Sequence, residues 1–246
     1  MSGGGAASPS ISVVVPVKDE AGNVASLARE IAAALAGESH EILFVDDGSK
    51  DGTVAALTAL KGEFPQLRVL RHGRNLGQSR GIRSGVQAAR GGIVVTLDGD
   101  GQNDPADIPK LLSALRADPE SAMVSGVRVR RRDSASRRWA SRVGNGFRSA
   151  LLGDGASDTG CGLKAFRREV FLMMPYFDGL HRFLPALMRR EGYEIAYVDV
   201  IDRPRHSGVS NYGFFDRLWI GIMDLFGVWW LIRRKKPTPE VTEVSA

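Results

Sequence analysis

Carboxylate and amide side chains follow hydrophobic runs of the sequence, and these residues are well suited to chemistry. Asp46 and Asp47 follow one run, and Asp98, Asp100 and Gln102 follow a later one. Singly, such residues are ordinary helix caps and turns. Together they would gather negative charge, which is costly unless a cation or hydrogen-bond donors offset it, and the last three alternate so that their oxygens can converge on one ion. The sequence therefore predicts a site for Mg²⁺ or Mn²⁺, which commonly share oxygen ligands with substrate phosphates.

Positive charge is concentrated in one segment. The chain has 33 Lys and Arg against 28 Asp and Glu, a net charge of +5. Eight arginines and only one acid, Asp133, lie between Arg128 and Arg148, so this segment carries +7 and the remainder is slightly acidic. Two N–H groups of one guanidinium can donate to two oxygens of the same phosphate. The patch is compatible with anionic lipid headgroups, phosphorylated ligands or a solvated face, whereas its lack of interleaved aromatic residues disfavours nucleic acid.

The hydrophobic runs predict strands that alternate with helices. We expect strands at residues 11–17, 41–45, 67–70 and 93–97, with helices at 24–35, 53–61 and 78–89 between them. Such an alternation is typical of an α/β fold in which a parallel sheet has helices on both faces. Ligands of these sheets bind beyond the carboxyl ends of the strands. Glu20, in the loop after the first strand, would lie at that edge with the carboxylates named above.

Composition limits the other possibilities. A length of 246 residues with 43% hydrophobic residues is enough for one large domain or two small ones. The single cysteine, Cys161, excludes an internal disulfide, and four widely separated histidines give no zinc signature. Residues 1–10 lack the features of a signal peptide. We interpret them as a disordered leader, residues 237–246 as a disordered tail, and the protein as intracellular.

An apolar segment near the carboxyl terminus predicts contact with a membrane surface. Residues 218–232 form a 15-residue apolar run interrupted by Asp224. As a helix it would extend about 22 Å, less than the roughly 30 Å hydrocarbon core. We therefore expect residues 214–236 to form a helix in the membrane plane, followed by a basic run. A core helix or a dimer interface is the alternative. The residues expected on the apolar face are Phe215, Leu218, Ile222, Phe226 and Trp229.

The order of the motifs resembles a known family. The motifs are Pro16-x-x-x-Glu20-x-x-Asn23, Asp46-Asp-Gly-Ser-x-Asp-Gly-Thr53, Asn75-x-Gly77 and Asp98-x-Asp100-x-Gln102. This order is similar to the inverting family 2 glycosyltransferases of GT-A fold. The segment Gln102-Asn-Asp-Pro105 resembles, more narrowly, the polyprenyl-phosphate glycosyltransferases, the group of dolichyl-phosphate mannose synthase. The likeness extends from about residue 11 to residue 236. It implies a Rossmann-like, mostly parallel sheet in a catalytic domain at 11–213, with amphipathic interfacial helices after it.

The resemblance also implies roles for individual residues. Those expected to contact the nucleotide sugar are Pro16, Glu20, Asp46, Asp47, Asp98, Arg205 and Ser210. The metal-bound diphosphate would be held by Asp98 and Asp100, with Gln102 completing the metal site. Arg128 and Arg142 would hold the phosphate of the lipid acceptor. Asn211 stands where the family often has Lys, so the charge that neutralises the diphosphate would come from Arg205 or Arg203.

The implied reaction transfers one sugar, with inversion, from a UDP- or GDP-linked donor to a polyprenyl phosphate. A phosphate acceptor is already ionised at neutral pH and needs no general base. Asp100, Arg128 and Arg142 would carry the catalysis, at the cytoplasmic face of a membrane, in a peripheral or monotopic protein. One alternative is a hydroxyl acceptor, such as a polysaccharide, with Asp158 as the visible candidate base. The other is a nucleotide-sugar binding protein without catalysis. The sugar, the nucleotide, the prenyl length and the oligomeric state stay open.

Overall fold

A computed structural model describes residues 8–129, 146, 148–156, 158–204 and 214–236, with the side chains of the last range described from residue 221. The amino-terminal half is an alternation of strands and helices. Its elements are β1 (Ile11–Val17), α1 (Val24–Ala34), β2 (His40–Asp46), α2 (Thr53–Leu60), β3 (Leu67–Arg71), α3 (Gln78–Ala88) and β4 (Ile93–Thr96). These bounds confirm the predicted strands and helices to within a residue or two.

The remaining elements complete the sheet and its cover. They are α4 (Ile108–Ala117), β5 (Ser121–Val129), β6 (Lys164–Arg167), α5 (Arg168–Met173), α6 (Leu184–Arg190), β7 (Glu194–Ile201) and α7 (Phe214–Arg233), with 3-10 turns at Pro105–Asp107 and Leu180–Arg182. In the described part of the chain, the strands form one sheet in the order β3-β2-β1-β4-β6-β5-β7. β6 runs antiparallel to both β4 and β5, while the other pairs are parallel. The prediction of a mostly parallel sheet is confirmed.

Alternating side chains of the central strands fill two separate apolar layers. Val13 and Val15 of β1 pack in the layer under α1, α2 and α4, whereas Val14 packs in the layer under α3, α5 and α6. Successive residues of a strand point to opposite faces of the sheet, so both faces are covered by helices. Because β1, β2 and β4 run parallel, the loops that follow them lie together at the carboxyl edge of the sheet.

The carboxyl-terminal helix α7 packs on the second layer along one side. Val228 is fully buried there, and Leu225 and Trp229 lie partly buried beside it. Met223, Phe226 and Trp230 are exposed on the other side. Phe226 is therefore exposed whereas Trp229, three residues later on the same helix, packs partly against the domain, so the docked side of α7 overlaps the predicted apolar face. Within the described ranges, no helix is long and apolar enough to cross a bilayer.

Candidate active site

Four strand ends bring charged residues to one edge of the sheet. β2 ends at Asp46, and β4 leads directly into Asp98. The reversed strand β6 begins at this same edge with Lys164, which is opposite Thr96 in the register. β5 ends beside them with Arg128. The edge thus combines carboxylates with two cations.

The loops after β1 and β2 are joined by reciprocal hydrogen bonds. The Asp19 backbone N–H donates to Ser49 Oγ over 2.9 Å, and the Lys50 N–H donates to Asp19 Oδ1 over 2.7 Å. This second bond holds the pKa of Asp19 below its usual value. The Glu20 N–H donates to Thr53 Oγ1 over 2.8 Å, and the Glu20 carboxylate accepts from Asn23. Glu20 is therefore held at the edge, with its carboxylate fixed from its own loop.

Asp46 and Asp47 are buried, and both shape the neighbouring loop. Asp46 accepts from the Ser49 N–H over 3.2 Å and lies 3.2 Å from Arg71 Nε. Asp47 accepts from the N–H groups of Leu76 and Gly77, and His72 Nδ1 lies 2.7 Å from its Oδ1. The structure therefore engages Asp47 in organising residues 72–77. Its predicted contact with a nucleotide, like that of Pro16 in β1, stays a prediction.

Asp98 and Asp100 lie in a tightly packed loop. Asp98 Oδ1 accepts from Gln78 Nε2 over 2.6 Å, and Asp100 Oδ1 accepts from the Gln102 N–H over 3.1 Å. A Cβ on Gly162 would lie only 2.3 Å from Asp98 Oδ2, so the carboxylate occupies the space that a side chain would need. Burial, and then the nearby charge of Asp100, raises the pKa of Asp98 to about 6. The loop thus holds negative charge that its own surroundings do not fully balance.

Lys164 is a buried cation that sequence reasoning missed. Its side chain is almost completely buried, and its ammonium group donates to the Cys161 carbonyl. Burial lowers the pKa of Lys164, which the charge of Asp98 partly opposes. Nothing in the local sequence marks this lysine, since only the reversal of β6 brings it to the carboxyl edge. Cys161 itself is a free cysteine with a buried side chain.

The residues present fit a divalent cation that is shared with a ligand. Across the described residues, no group of three or more His, Cys, Asp and Glu side chains is arranged to hold a metal. The chain itself offers Asp98, Asp100 and the amide of Gln102, an oxygen set of the kind that Mg²⁺ and Mn²⁺ complete with substrate phosphates. Burial, and to a smaller degree the charge of Asp100, raises the pKa of Asp98, and a bound cation would oppose both effects.

Arg128 is paired within the protein. Its Nε and Nη2 each donate to a different oxygen of Asp158 over 2.8 Å, and this pairing raises the pKa of Arg128. The third nitrogen, Nη1, lies 4.0 Å from Asp202 Oδ1. Arg148 is likewise buried and lies 2.6 Å from Asp154. The charge of +7 counted along residues 128–148 therefore overestimates the positive charge that a ligand would meet, because acids later in the chain neutralise these two arginines.

Arg203 is also paired, and the other predicted ligands of the edge are not described. The Arg203 guanidinium contacts Glu30 and Asp104, and its contribution to neutralising the diphosphate stays a prediction. Arg142, Arg205 and Ser210 lie outside the described residues.

Comparisons with known proteins find relatives of this chain. Residues 12–172 match the model of glycosyl transferase family 2. The chain is 34% identical over 231 residues to the dodecaprenyl-phosphate galacturonate synthase of Rhizobium johnstonii, covering 92% of this chain and 68% of that protein. It is 35% identical over 210 residues to the undecaprenyl-phosphate 4-deoxy-4-formamido-L-arabinose transferase of Shewanella sediminis, covering 84% of this chain and 62% of the relative. The chain thus spans about two thirds of the length of these relatives.

Solved structures share the fold at lower identity. Glucosyl-3-phosphoglycerate synthase from Mycobacterium tuberculosis, solved with Mn²⁺, UDP-glucose and glycerol 3-phosphate, superimposes with a TM-score of 0.67 at 19% identity over 91% of this chain and 80% of that one. A mannosyltransferase from Pyrobaculum calidifontis, solved with GDP-mannose and Mn²⁺, gives 0.66 at 21% identity over 94% and 66%.

Proposed function

The chain belongs to glycosyltransferase family 2 and has the GT-A fold, and on that basis we propose that it transfers a sugar, with inversion, from a UDP- or GDP-linked donor to a polyprenyl phosphate. The observation that carries this proposal is the engagement of Asp158. A hydroxyl acceptor needs a general base. The guanidinium of Arg128 donates to both oxygens of Asp158 and stabilises its ionised form, so Asp158 is a poor proton acceptor. A phosphate acceptor needs no such base. The relatives named after prenyl phosphates support the same acceptor class.

On this proposal, Asp98, Asp100 and Gln102 hold Mg²⁺ or Mn²⁺ at the donor diphosphate. When bound, the cation stabilises the negative charge that grows on the leaving nucleoside diphosphate. Glu20 and Asp46 are fixed at the edge that faces the donor, which supports their assignment to the nucleotide pocket. Lys164 lies at the same edge, opposite Thr96 of β4, and its protonated form would offset part of the charge of Asp98.

The acceptor phosphate is assigned to the arginine side of the edge. Arg128 has two nitrogens on Asp158, so a phosphate would contact the third nitrogen, Nη1. Arg142 is the second proposed ligand, and Arg205 with Ser210 is proposed to cover the diphosphate. Guanidinium contacts would orient an anionic nucleophile without protonating it.

We further assign residues 214–236 to a membrane surface, with a revised face. Met223, Phe226 and Trp230 lie at three- and four-residue spacing and are each more than half exposed. Exposed basic residues follow them at Arg233, Arg234 and Lys236. Apolar side chains beside basic ones are typical of helices that lie in the interface of an anionic bilayer. This arrangement supports a peripheral or monotopic protein at the membrane where a lipid phosphate resides, on its cytoplasmic face.

The test is a transfer assay with radiolabelled donors. Purified protein is incubated with UDP- and GDP-sugars, Mg²⁺ or Mn²⁺, and polyprenyl phosphate, and the lipid phase is extracted and counted. We expect label in the lipid with the phosphate and none with the free prenyl alcohol. Asp118→Asn, an exposed site far from the edge, should match wild type, whereas Asp100→Asn should not. Transfer to a hydroxyl acceptor, or donor binding without turnover, would overturn the proposal.

A further inference from the structure

The end of β7 is joined to the loop that carries the proposed metal ligands. The Ile201 N–H donates to Asp107 Oδ2 over 2.7 Å, and Asn103 forms an antiparallel β-bridge with Asp202. One residue later, the Arg203 N–H donates to the Gln102 carbonyl over 2.9 Å. The loop after β4 and the end of β7 are therefore held as one unit.

The Arg203 side chain extends this connection to a third element. Its Nη1 lies 2.5 Å from Glu30 Oε2 in α1, and its Nη2 lies 2.6 Å from Asp104 Oδ1. Asp104 is nearly buried, and the same oxygen accepts from the Ala106 N–H over 2.9 Å. We call these two contacts the Arg203 ion pairs. They link α1, the loop after β4 and the end of β7.

Hydrogen bonds connect Arg203 to the loop residues that hold both proposed carboxylate ligands. Gln102, whose carbonyl accepts from Arg203, donates its own N–H to Asp100 Oδ1. Asn103 accepts from the Asp98 N–H through its side chain over 3.0 Å. A shift of the loop at residues 102–104 would therefore move both carboxylates.

From this geometry we propose that Arg203 is a positioning residue for the metal-binding loop. The inference rests on the proposed function and adds to it a residue that touches neither donor nor acceptor. The guanidinium charge is balanced by two carboxylates, so Arg203 contributes little field to a diphosphate. Without Arg203, the carboxylates of Glu30 and Asp104 would lose the cation that links them, and the loop after β4 would lose its tie to α1. Supporting residues of this kind typically change metal affinity by ten- to a hundredfold.

The experiment compares Arg203→Met with a matched ion pair elsewhere. Arg116 forms a bidentate pair with Glu38 over 2.7 and 3.0 Å, far from the loop, so Arg116→Met controls for the loss of one surface pair. Binding of UDP and GDP is measured by calorimetry with and without Mn²⁺, together with melting temperature, donor KM and kcat. Arg203→Met should weaken Mn²⁺-dependent binding about tenfold and raise KM more than it lowers kcat.

Two further variants keep the inference testable if Arg203→Met folds poorly. Arg203→Lys keeps a charge at the position and should restore part of the affinity, and Glu30→Gln should weaken binding by a smaller factor. The inference is overturned if the Arg203 variants bind as wild type does, if Arg116→Met weakens binding equally, or if kcat collapses with KM unchanged. If wild type binds neither UDP nor GDP, the proposed function itself fails. If wild type binds and the Arg203 variants bind equally well, only the inference about Arg203 fails.

Discussion

Gly162 offers a sharp test of the position of Asp98. A Cβ on Gly162 would lie 2.3 Å from Asp98 Oδ2 and 2.5 Å from Oδ1. Ordinary contacts between such atoms are about 3.5 Å, so Gly162→Ala must displace the carboxylate by about 1 Å. Gln78, bonded to Oδ1 over 2.6 Å, restricts where it can move. A displacement of this size at a reacting centre costs about a hundredfold in rate, or ~2.7 kcal/mol.

The assay for Gly162→Ala combines turnover with folding. Transfer to polyprenyl phosphate and Mn²⁺-dependent nucleotide binding are measured beside the melting temperature. Gly92→Ala is the control, because a Cβ on Gly92 meets no atom within 4 Å, and it should behave as wild type. Since neither glycine has positive φ, backbone strain does not separate the two variants. A Gly162→Ala protein with turnover within about threefold of wild type would refute the proposed role of Asp98.

Three further predictions concern the catalytic groups, a buried histidine and the carboxyl-terminal helix. Asp100→Ala and Arg128→Ala should each lower turnover on lipid phosphate at least about a hundredfold, and near-wild-type rates would remove their assigned roles. Burial lowers the pKa of His181 from 6.5 to about 3, so below pH 6.5 the unfolded chain binds a proton that the folded protein excludes. The stability of the folded protein should therefore fall as the pH falls below 6.5. Urea unfolding should show that the difference in free energy of unfolding between wild type and His181→Gln changes by about 2 kcal/mol between pH 7 and pH 5. An unchanged difference would contradict the burial of His181. Phe226→Ser with Trp230→Ser should reduce sedimentation with phosphatidylglycerol vesicles while leaving the melting temperature nearly unchanged, and equal sedimentation would exclude this face as the docking surface.

The amino-terminal half was predictable because its signals are local. The β-branched run at Ile11–Val17 and the apolar periodicity of Val24–Ala34 each specify an element within a few residues. Their alternation then fixes the direction of the strands and places Asp46 and Asp98 at one edge. Position at this edge follows from topology alone and needs no knowledge of side-chain contacts.

The later half depended on contacts between residues that are distant in sequence. β6 is a four-residue strand whose antiparallel direction has no local signal, so the arrival of Lys164 at the edge was missed. Counting charges along the chain overestimated the arginine patch, because Asp158 neutralises Arg128 from 30 residues away. The period of α7 was evident, but the side that docks on the domain is set by the apolar layer in which Val228 packs.

The central claim is that Asp98 and Asp100 hold a divalent cation against the diphosphate of a nucleotide. Crystals soaked with Mn²⁺ and either UDP or GDP, with data collected at the manganese absorption edge, test it directly. The account predicts an anomalous peak in contact with both carboxylates and with the diphosphate oxygens. A nucleotide bound at the edge with manganese elsewhere, or an empty edge at saturating ligand, would contradict it.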